Sequence, residues 1–134
     1  MVNVRLLQQR TKDFELHNNV PPTKDKEEGR LDLGLKYNFH IEYAADTKHC
    51  KATLVQIAEA MDDQQIFHIS ATLEGVFETD SIVNDEMKKE IHIRCYYELF
   101  PYAQALISQV SLATGITPIV IPSDRLLPEN ISIG

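Results

Sequence analysis

Leu31-Asp-Leu-Gly-Leu-Lys-Tyr-Asn-Phe-His-Ile-Glu-Tyr43 places an apolar or aromatic residue at every odd position and Asp, Gly, Lys, Asn, His or Glu at every even one. A period of two held over this length specifies a strand with one dry and one wet face. Downstream, Phe67-His-Ile-Ser-Ala-Thr-Leu-Glu-Gly-Val-Phe77 repeats the pattern and sends Phe67, Ile69, Ala71, Leu73 and Phe77 to one side. Between the two lies Cys50-Lys-Ala-Thr-Leu-Val-Gln-Ile-Ala-Glu-Ala-Met61, bounded by the turn-like segments Ala45–Lys48 and Asp62–Gln65. Its centre is apolar at both parities (Leu54, Val55, Ile57), and its Ala and Glu content would also suit a helix. Short connections on both sides favour a strand in an antiparallel meander.

Upstream, Val4 to Leu16 alternates weakly and is polar, which suits a strand at a sheet edge. The polar segment from Asn18 to Gly29 follows, entered through Pro21 and Pro22, and reads as a loop. After Asp80 the period changes. Met87, Ile91, Cys95, Leu99, Tyr102, Leu106, Val110 and Ala113 recur at three and four residues, the stripe of an amphipathic helix, with Asn84 as its capping residue and Asp85 and Glu86 in the first turn. Pro101 removes one backbone hydrogen bond inside that helix, so a kink or a break near Glu98 is expected, and Gly115 ends it. Ile116-Thr-Pro-Ile-Val-Ile-Pro122 is apolar but punctuated by Pro118 and Pro122, which leaves an extended loop. The expected architecture is α+β in a single domain over residues 1–134. Residues 1–80 form a four-stranded antiparallel sheet, 81–115 one long kinked helix, and 116–134 a proline-containing loop and tail.

Composition narrows the function. The chain has 134 residues, 43% of them hydrophobic and 25% charged, which matches one compact domain rather than a disordered chain. Thirteen Lys and Arg against twenty Asp and Glu give a net charge of −7, which repels a phosphate backbone, so no nucleic-acid partner is expected. Met1-Val-Asn-Val-Arg is not the start of a secretion signal, and no run approaches the roughly 20 apolar residues that span a bilayer, so the expectation is a cytoplasmic protein without membrane insertion. Cys50 and Cys95 are accordingly expected as reduced thiols. His49-Cys50 and His92-x-x-Cys95 raise the question of a metal, but neighbours 49 and 50 point to opposite faces of a strand, so no metal site is expected. Those residues with Asp46 or Asp80 do not make a local nucleophile motif, and Gly29, Gly34, Gly75 and Gly115 build no phosphate loop. The reading is a protein without a catalytic constellation or cofactor. His17, His40 and His68 fall on the wet face of their strands.

One helix covers one face of such a sheet, so the remaining apolar area asks for another copy of the chain or another protein. Cys95-Tyr-Tyr-Glu-Leu-Phe-Pro-Tyr-Ala-Gln-Ala-Leu-Ile-Ser108, followed by Gly115-Ile-Thr-Pro-Ile-Val-Ile-Pro122, closely resembles the main-helix signature of the SecB family of protein-export chaperones. Its Leu99 to Ala103 core is the most specific piece. Thr11-Lys12-Asp13, Leu31-Asp-Leu33 and Glu74-Gly75-Val76-Phe77 agree more weakly, and the resemblance runs from about residue 5 to 122.

The resemblance implies a four-stranded antiparallel sheet on a long helix, a homodimer and a homotetramer built from two dimers, and an ATP-independent holdase for unfolded preproteins awaiting Sec-dependent export. The expected client surface is Phe100, Tyr102, Ile116, Pro118, Ile119, Val120 and Ile121, with at least one of Ile119, Val120 and Ile121 available and the rings of Phe100 and Tyr102 divided between anchoring the sheet and bordering the groove. Asp13, which matches the family's strand acids directly, and Glu15, which matches with a shifted spacing, are the expected contacts for SecA, the translocase ATPase. The family's second helix and polar tail have no counterpart in Ser123-Asp-Arg-Leu-Leu-Pro-Glu-Asn-Ile-Ser-Ile-Gly134, so a more open groove is expected. The alternative is a small-molecule binding or thioesterase-like protein of the hot-dog type, whose carboxylate beside the central helix would be Glu98.

Overall fold

The computed structural model describes residues 2–19, 33–61, 66–115 and 121. Strands β1 (Val4–Asn18), β2 (Leu33–Tyr43), β3 (His49–Ala60) and β4 (Phe67–Thr79) form one sheet, followed by helix α1 (Asp85–Ala113). The sheet order is β1-β4-β3-β2, and every pair is antiparallel. The meander from β2 to β4 follows from the short turns, whereas β1 returns across the sheet to lie beside β4, which gives Greek-key topology. β1 is an edge strand, as its polar sequence suggests, and its register shifts between Leu6 and Gln8 and between Thr11 and Asp13. Shifts of this kind bend and twist an edge, which discourages uncontrolled pairing with other strands.

The odd residues of β2 and β4 and the even ones of β3 share the face covered by α1. Cys50, Ala52, Leu54, Phe67, Ile69, Ala71, Leu73 and Phe77 are all buried there. On the opposite face β3 shows Lys51, Thr53, Val55, Ile57 and Glu59, and only Val55 and Ile57 are apolar. The two-sided apolar character expected for β3 is therefore confined to two half-buried side chains. The β2–β3 turn rests on Asp46, whose Oδ1 accepts the backbone N–H groups of Lys48 (2.9 Å) and His49 (3.1 Å), with His49 Nδ1 2.6 Å from Oδ2. These contacts hold the Asp46 carboxyl below its ordinary range and commit it to the turn.

At the start of α1, Asn84 Oδ1 accepts the Met87 N–H at 2.9 Å, and Asp85 and Glu86 face the positive end of the helix. Gly115, at φ 88°, supplies the left-handed residue just past the helix end, and its N–H donates to Leu112 O. The helix runs without a break through Pro101, which lies on its exposed side, so the break allowed for near Glu98 does not occur.

The buried row of α1 is Ile91, Cys95, Leu99, Ala103, Ile107 and Ser111, with Tyr96 and Phe100 beside it. The stripe read from the sequence follows it as far as Leu99 and then veers to Tyr102 and Ala113, which are exposed. Ala103 and Ser111 are preferred at the sheet because small side chains let the two backbones approach closely. Gly75 on β4 serves the same end. A Cβ there would lie 2.7 Å from Leu99 Cδ1 and 2.8 Å from Phe77 Cε2. Cys50 and Cys95 are free thiols in this layer, and the Cys95 S–H donates to Cys50, which with burial raises the Cys95 pKa and keeps it a neutral packing residue.

Candidate functional site

Between β2 and α1 the sequence places five aromatic rings within one seam. Tyr96 is its centre, with Tyr37 at 5.3 Å, Phe39 at 5.5 Å, Tyr97 at 5.6 Å and Phe100 at 5.8 Å between ring centroids. His92 meets Phe39 edge-on at 4.9 Å, and its burial lowers its pKa. Toward the helix start, the Tyr43 O–H donates to Lys88 O at 3.4 Å while the Lys88 ammonium stands 5.1 Å from the Tyr43 ring centre. Burial also raises the Tyr43 pKa, so the phenol stays protonated and remains a donor. This seam fixes the roll of α1 about its own axis and so decides which helix residues are left outside.

Outside are Glu98, Pro101, Tyr102, Ala105, Gln109 and Leu112, one continuous exposed stripe at helical spacing. Tyr102 is 46% exposed, Leu112 61%, and Tyr97 at the edge of the seam 40%. Phe100, by contrast, is buried against Tyr96. Of the two rings, Phe100 is buried in the core cluster and Tyr102 faces outward. The sequence reading did not single out Tyr97 and Leu112. Their signal was the position of Pro101, because a residue without an N–H sits most easily on the outer side and marks that side for its neighbours. Glu98 is on the same outer stripe, not enclosed as a hot-dog thioesterase carboxylate would be.

Ile116, Pro118, Ile119 and Val120 lie outside the described residues. Ile121 is described. Its side chain is 6% exposed and its N–H donates to Gln104 Oε1 at 2.6 Å, so the chain returns to α1 at this point and closes on the core. A substitution at Ile121 therefore disturbs packing, whereas Tyr102 and Leu112 lie on the outer surface.

The sheet face away from α1 carries two rows of charge that each cross all four strands. In one, Glu74 Oε1 takes the Arg10 guanidinium (Nε 2.8 Å, Nη2 2.6 Å), Glu74 Oε2 lies 3.4 Å from Lys51, and Lys51 is 4.0 Å from Glu42. In the other, Glu59 contacts Lys36 (2.7 Å) and His68 (3.1 Å), and His68 Nε2 lies 3.9 Å from Glu15. The ammonium of Lys36 beside Glu59 and the guanidinium of Arg10 beside Glu74 hold both carboxyls below their ordinary range, against the opposing effect of burial. Asp13 and Glu15 are exposed on this face, Glu15 at the margin of the second row. His17 and His40 are exposed as expected, and His68 is half-buried. Among the described residues no group of three or more His, Cys, Asp or Glu is placed to hold a metal ion, and no helix is long and apolar enough to cross a membrane.

The family model for "Preprotein translocase subunit SecB" matches residues 1–123. Protein-export protein SecB of Orientia tsutsugamushi (strain Boryong) is 27% identical over 117 residues, covering 84% of this chain and 72% of the relative. The same protein of Caulobacter vibrioides (strain NA1000 / CB15N) is 26% identical over 121 residues, covering 88% and 73%. Among solved structures, the Mycobacterium tuberculosis SecB-like chaperone in complex with a ChAD peptide from the HigA1 antitoxin superposes with a TM-score of 0.69 over 89% of this chain and 86% of that one, at 10% identity. The last likeness is one of fold. The chain belongs to the SecB family of protein-export chaperones.

Proposed function

We propose that this protein is an ATP-independent holdase that binds non-native polypeptides, among them preproteins bound for Sec-dependent export, and passes them to a partner in the cytoplasm. The observation that carries the reading is the exposed aromatic and aliphatic stripe of α1, with Tyr102 at 46% and Leu112 at 61% exposure, in a chain of this family. A helix whose inner rows already satisfy the core has no packing need for these side chains. Each such side chain covered by a client contributes on the order of 1 kcal/mol after ordering costs, so micromolar binding takes several contacts together. Extended segments that touch Tyr97, Tyr102, Leu112 and residues 116–121 would supply that number. The peptide in the mycobacterial chaperone's structure supports the same reading. Assembly as a homodimer or homotetramer would multiply the stripes and raise avidity for long clients. Asp13 and Glu15 are the proposed contact for a SecA-like partner, with the acids nearby already engaged by Arg10, Lys51 and Lys36.

The test is light scattering from a reduced, unfolding client protein. Stoichiometric amounts of the parent should suppress aggregation without nucleotide, and Tyr102→Ser with Leu112→Ser should weaken client binding about tenfold while leaving the melting temperature unchanged. A double variant that suppresses aggregation as well as the parent would remove the outer stripe from the client surface, and a parent that suppresses nothing would remove the holdase.

A further inference from the structure

Val2, just before β1, is held in a way its neighbours in the strand are not. Its N–H donates to Glu90 Oε1 at 3.2 Å, and its C=O accepts from Arg94 Nη1, so one helix turn of α1 grips both backbone groups of a single residue. The Val2 side chain is 4% exposed and belongs to the core cluster. The next residue is tied as well, since the Asn3 N–H donates to Asp80 Oδ2 at 3.0 Å. Two open clefts adjoin this segment: one of about 540 Å³ where Val2 meets Asn84, Met87, Glu90, Ile93 and Arg94, and one of about 390 Å³ where Asn3 and Val4 meet Glu78, Asp80 and again Arg94. The segment from Val2 to Val4 thus lines a wider trough that it does not fill, and Arg94 lines both of its parts.

An ordinary strand end is satisfied by the next strand. Here β4 ends at Thr79, the Asp80 N–H still donates to Asn3 O at 3.4 Å, and at Val2 two charged side chains take the place of a partner strand. Charge-assisted bonds to a backbone N–H and C=O are independent of sequence, and a buried aliphatic socket between them asks only for a Val-sized side chain. That is the recognition chemistry of an extended peptide. We propose that the trough at the first half of α1 is a second peptide-binding site, occupied in this structure by the chain's own Val2 and open to an extended segment with a β-branched or other aliphatic residue at that position. The inference rests on the polypeptide-binding reading above and adds a site remote from the outer stripe. Because the resident segment is tethered, it competes as an intramolecular ligand, and an outside peptide binds in proportion to the fraction of time the segment is away.

The experiment uses the full chain and a fluorescein-labelled peptide that copies residues 1–8, read by fluorescence anisotropy. Val2→Asp sets a carboxylate against Glu90 and expels the resident segment, and Val2→Gly, which withdraws the side chain without adding charge, is run beside it so that the comparison stands if the first variant does not fold. The expected result is saturable binding at least tenfold tighter to a folded Val2 variant than to the parent, lost when Arg94→Ala is added and lost when the probe itself carries Asp at its second position. Equal binding by the Val2 variants and the parent overturns the proposal, as does binding indifferent to Arg94→Ala. These outcomes are separate from the aggregation assay. Tight probe binding to the Val2 variants supports the trough even if the parent suppresses no aggregation, and its absence overturns the trough even if the parent is an active holdase.

Discussion

Gly75→Ala tests how closely α1 lies on the sheet. The added methyl would sit 2.7 Å from Leu99 Cδ1, 2.8 Å from Phe77 Cε2 and 3.3 Å from Leu6 Cδ1. Carbon atoms pack at about 3.5–4.0 Å, so the first two contacts are closer than the helix can tolerate in place. Overpacking of this kind costs about 1–3 kcal/mol, offset by about 0.4–1 kcal/mol from the lower entropy of an unfolded chain with Ala in place of Gly. The net expectation is a loss of about 1–2 kcal/mol, a fall of about 4–8 °C in melting temperature for a chain of this length. Thermal melts followed by circular dichroism, at one protein concentration because association shifts the midpoint, measure it. The specific claim is coupling. Leu99→Ala alone should cost about 3 kcal/mol by leaving a cavity, but it also removes the atom nearest the new methyl, so the double variant should be about 1 kcal/mol more stable than the two losses added. Phe77 keeps the rescue partial. Additive losses, or a Gly75→Ala variant as stable as the parent, would refute the claim that the helix packs too closely on Gly75 to admit a side chain there.

Two further expectations concern pH. The unfolded chain titrates Glu59 and Glu74 near their ordinary value of 4.5, whereas the folded chain holds both lower, so their contribution to stability is complete above about pH 4.5 and fades as pH falls through the folded values. Urea midpoints should drop in that acid window for the parent and drop less for Glu59→Gln with Glu74→Gln; equal acid sensitivity in both would show that the charge rows are not linked to folding. His92 works in a higher window. Its unfolded imidazole takes a proton near 6.5 and the buried one only below that, so the folded state loses stability as pH drops through about 6.5, and His92→Phe, which keeps a ring against Phe39, should flatten that step. An unchanged profile from pH 7 to 5 would place the step elsewhere.

Most of the elements could be read from the chain where a period or a boundary residue marks them. β2 and β4 alternate cleanly, Asn84 and Gly115 mark the two helix ends, and the signature from Leu99 to Ala103 names the family. The pairing of β1 with β4 could not be read, because a polar edge strand carries no pattern that selects its neighbour. The helix face was legible only to Leu99, since beyond it the buried row runs through Ala103 and Ser111 and leaves Tyr102 outside, and hydrophobicity alone ranks Tyr and Leu above Ala and Ser as core residues. The same logic hid the grip of Glu90 and Arg94 on Val2, which joins residues at opposite ends of the sequence by bonds to backbone atoms that every residue possesses.

The strand order also bears on how the chain comes off a ribosome. β1 emerges first, yet its partner is β4, with Val4 opposite Thr79 and Asn18 opposite Phe67, so more than a third of the chain must be made between even the nearest pair. Until then β1 waits in water without a partner strand. Its centre, Gln8-Gln-Arg-Thr-Lys-Asp13, is suited to waiting, because six polar residues in a row offer a nascent neighbour little to aggregate with. The meander from β2 to β4 can close on itself by local turns as each strand appears, and the arrival of β4 then provides β1 with its register.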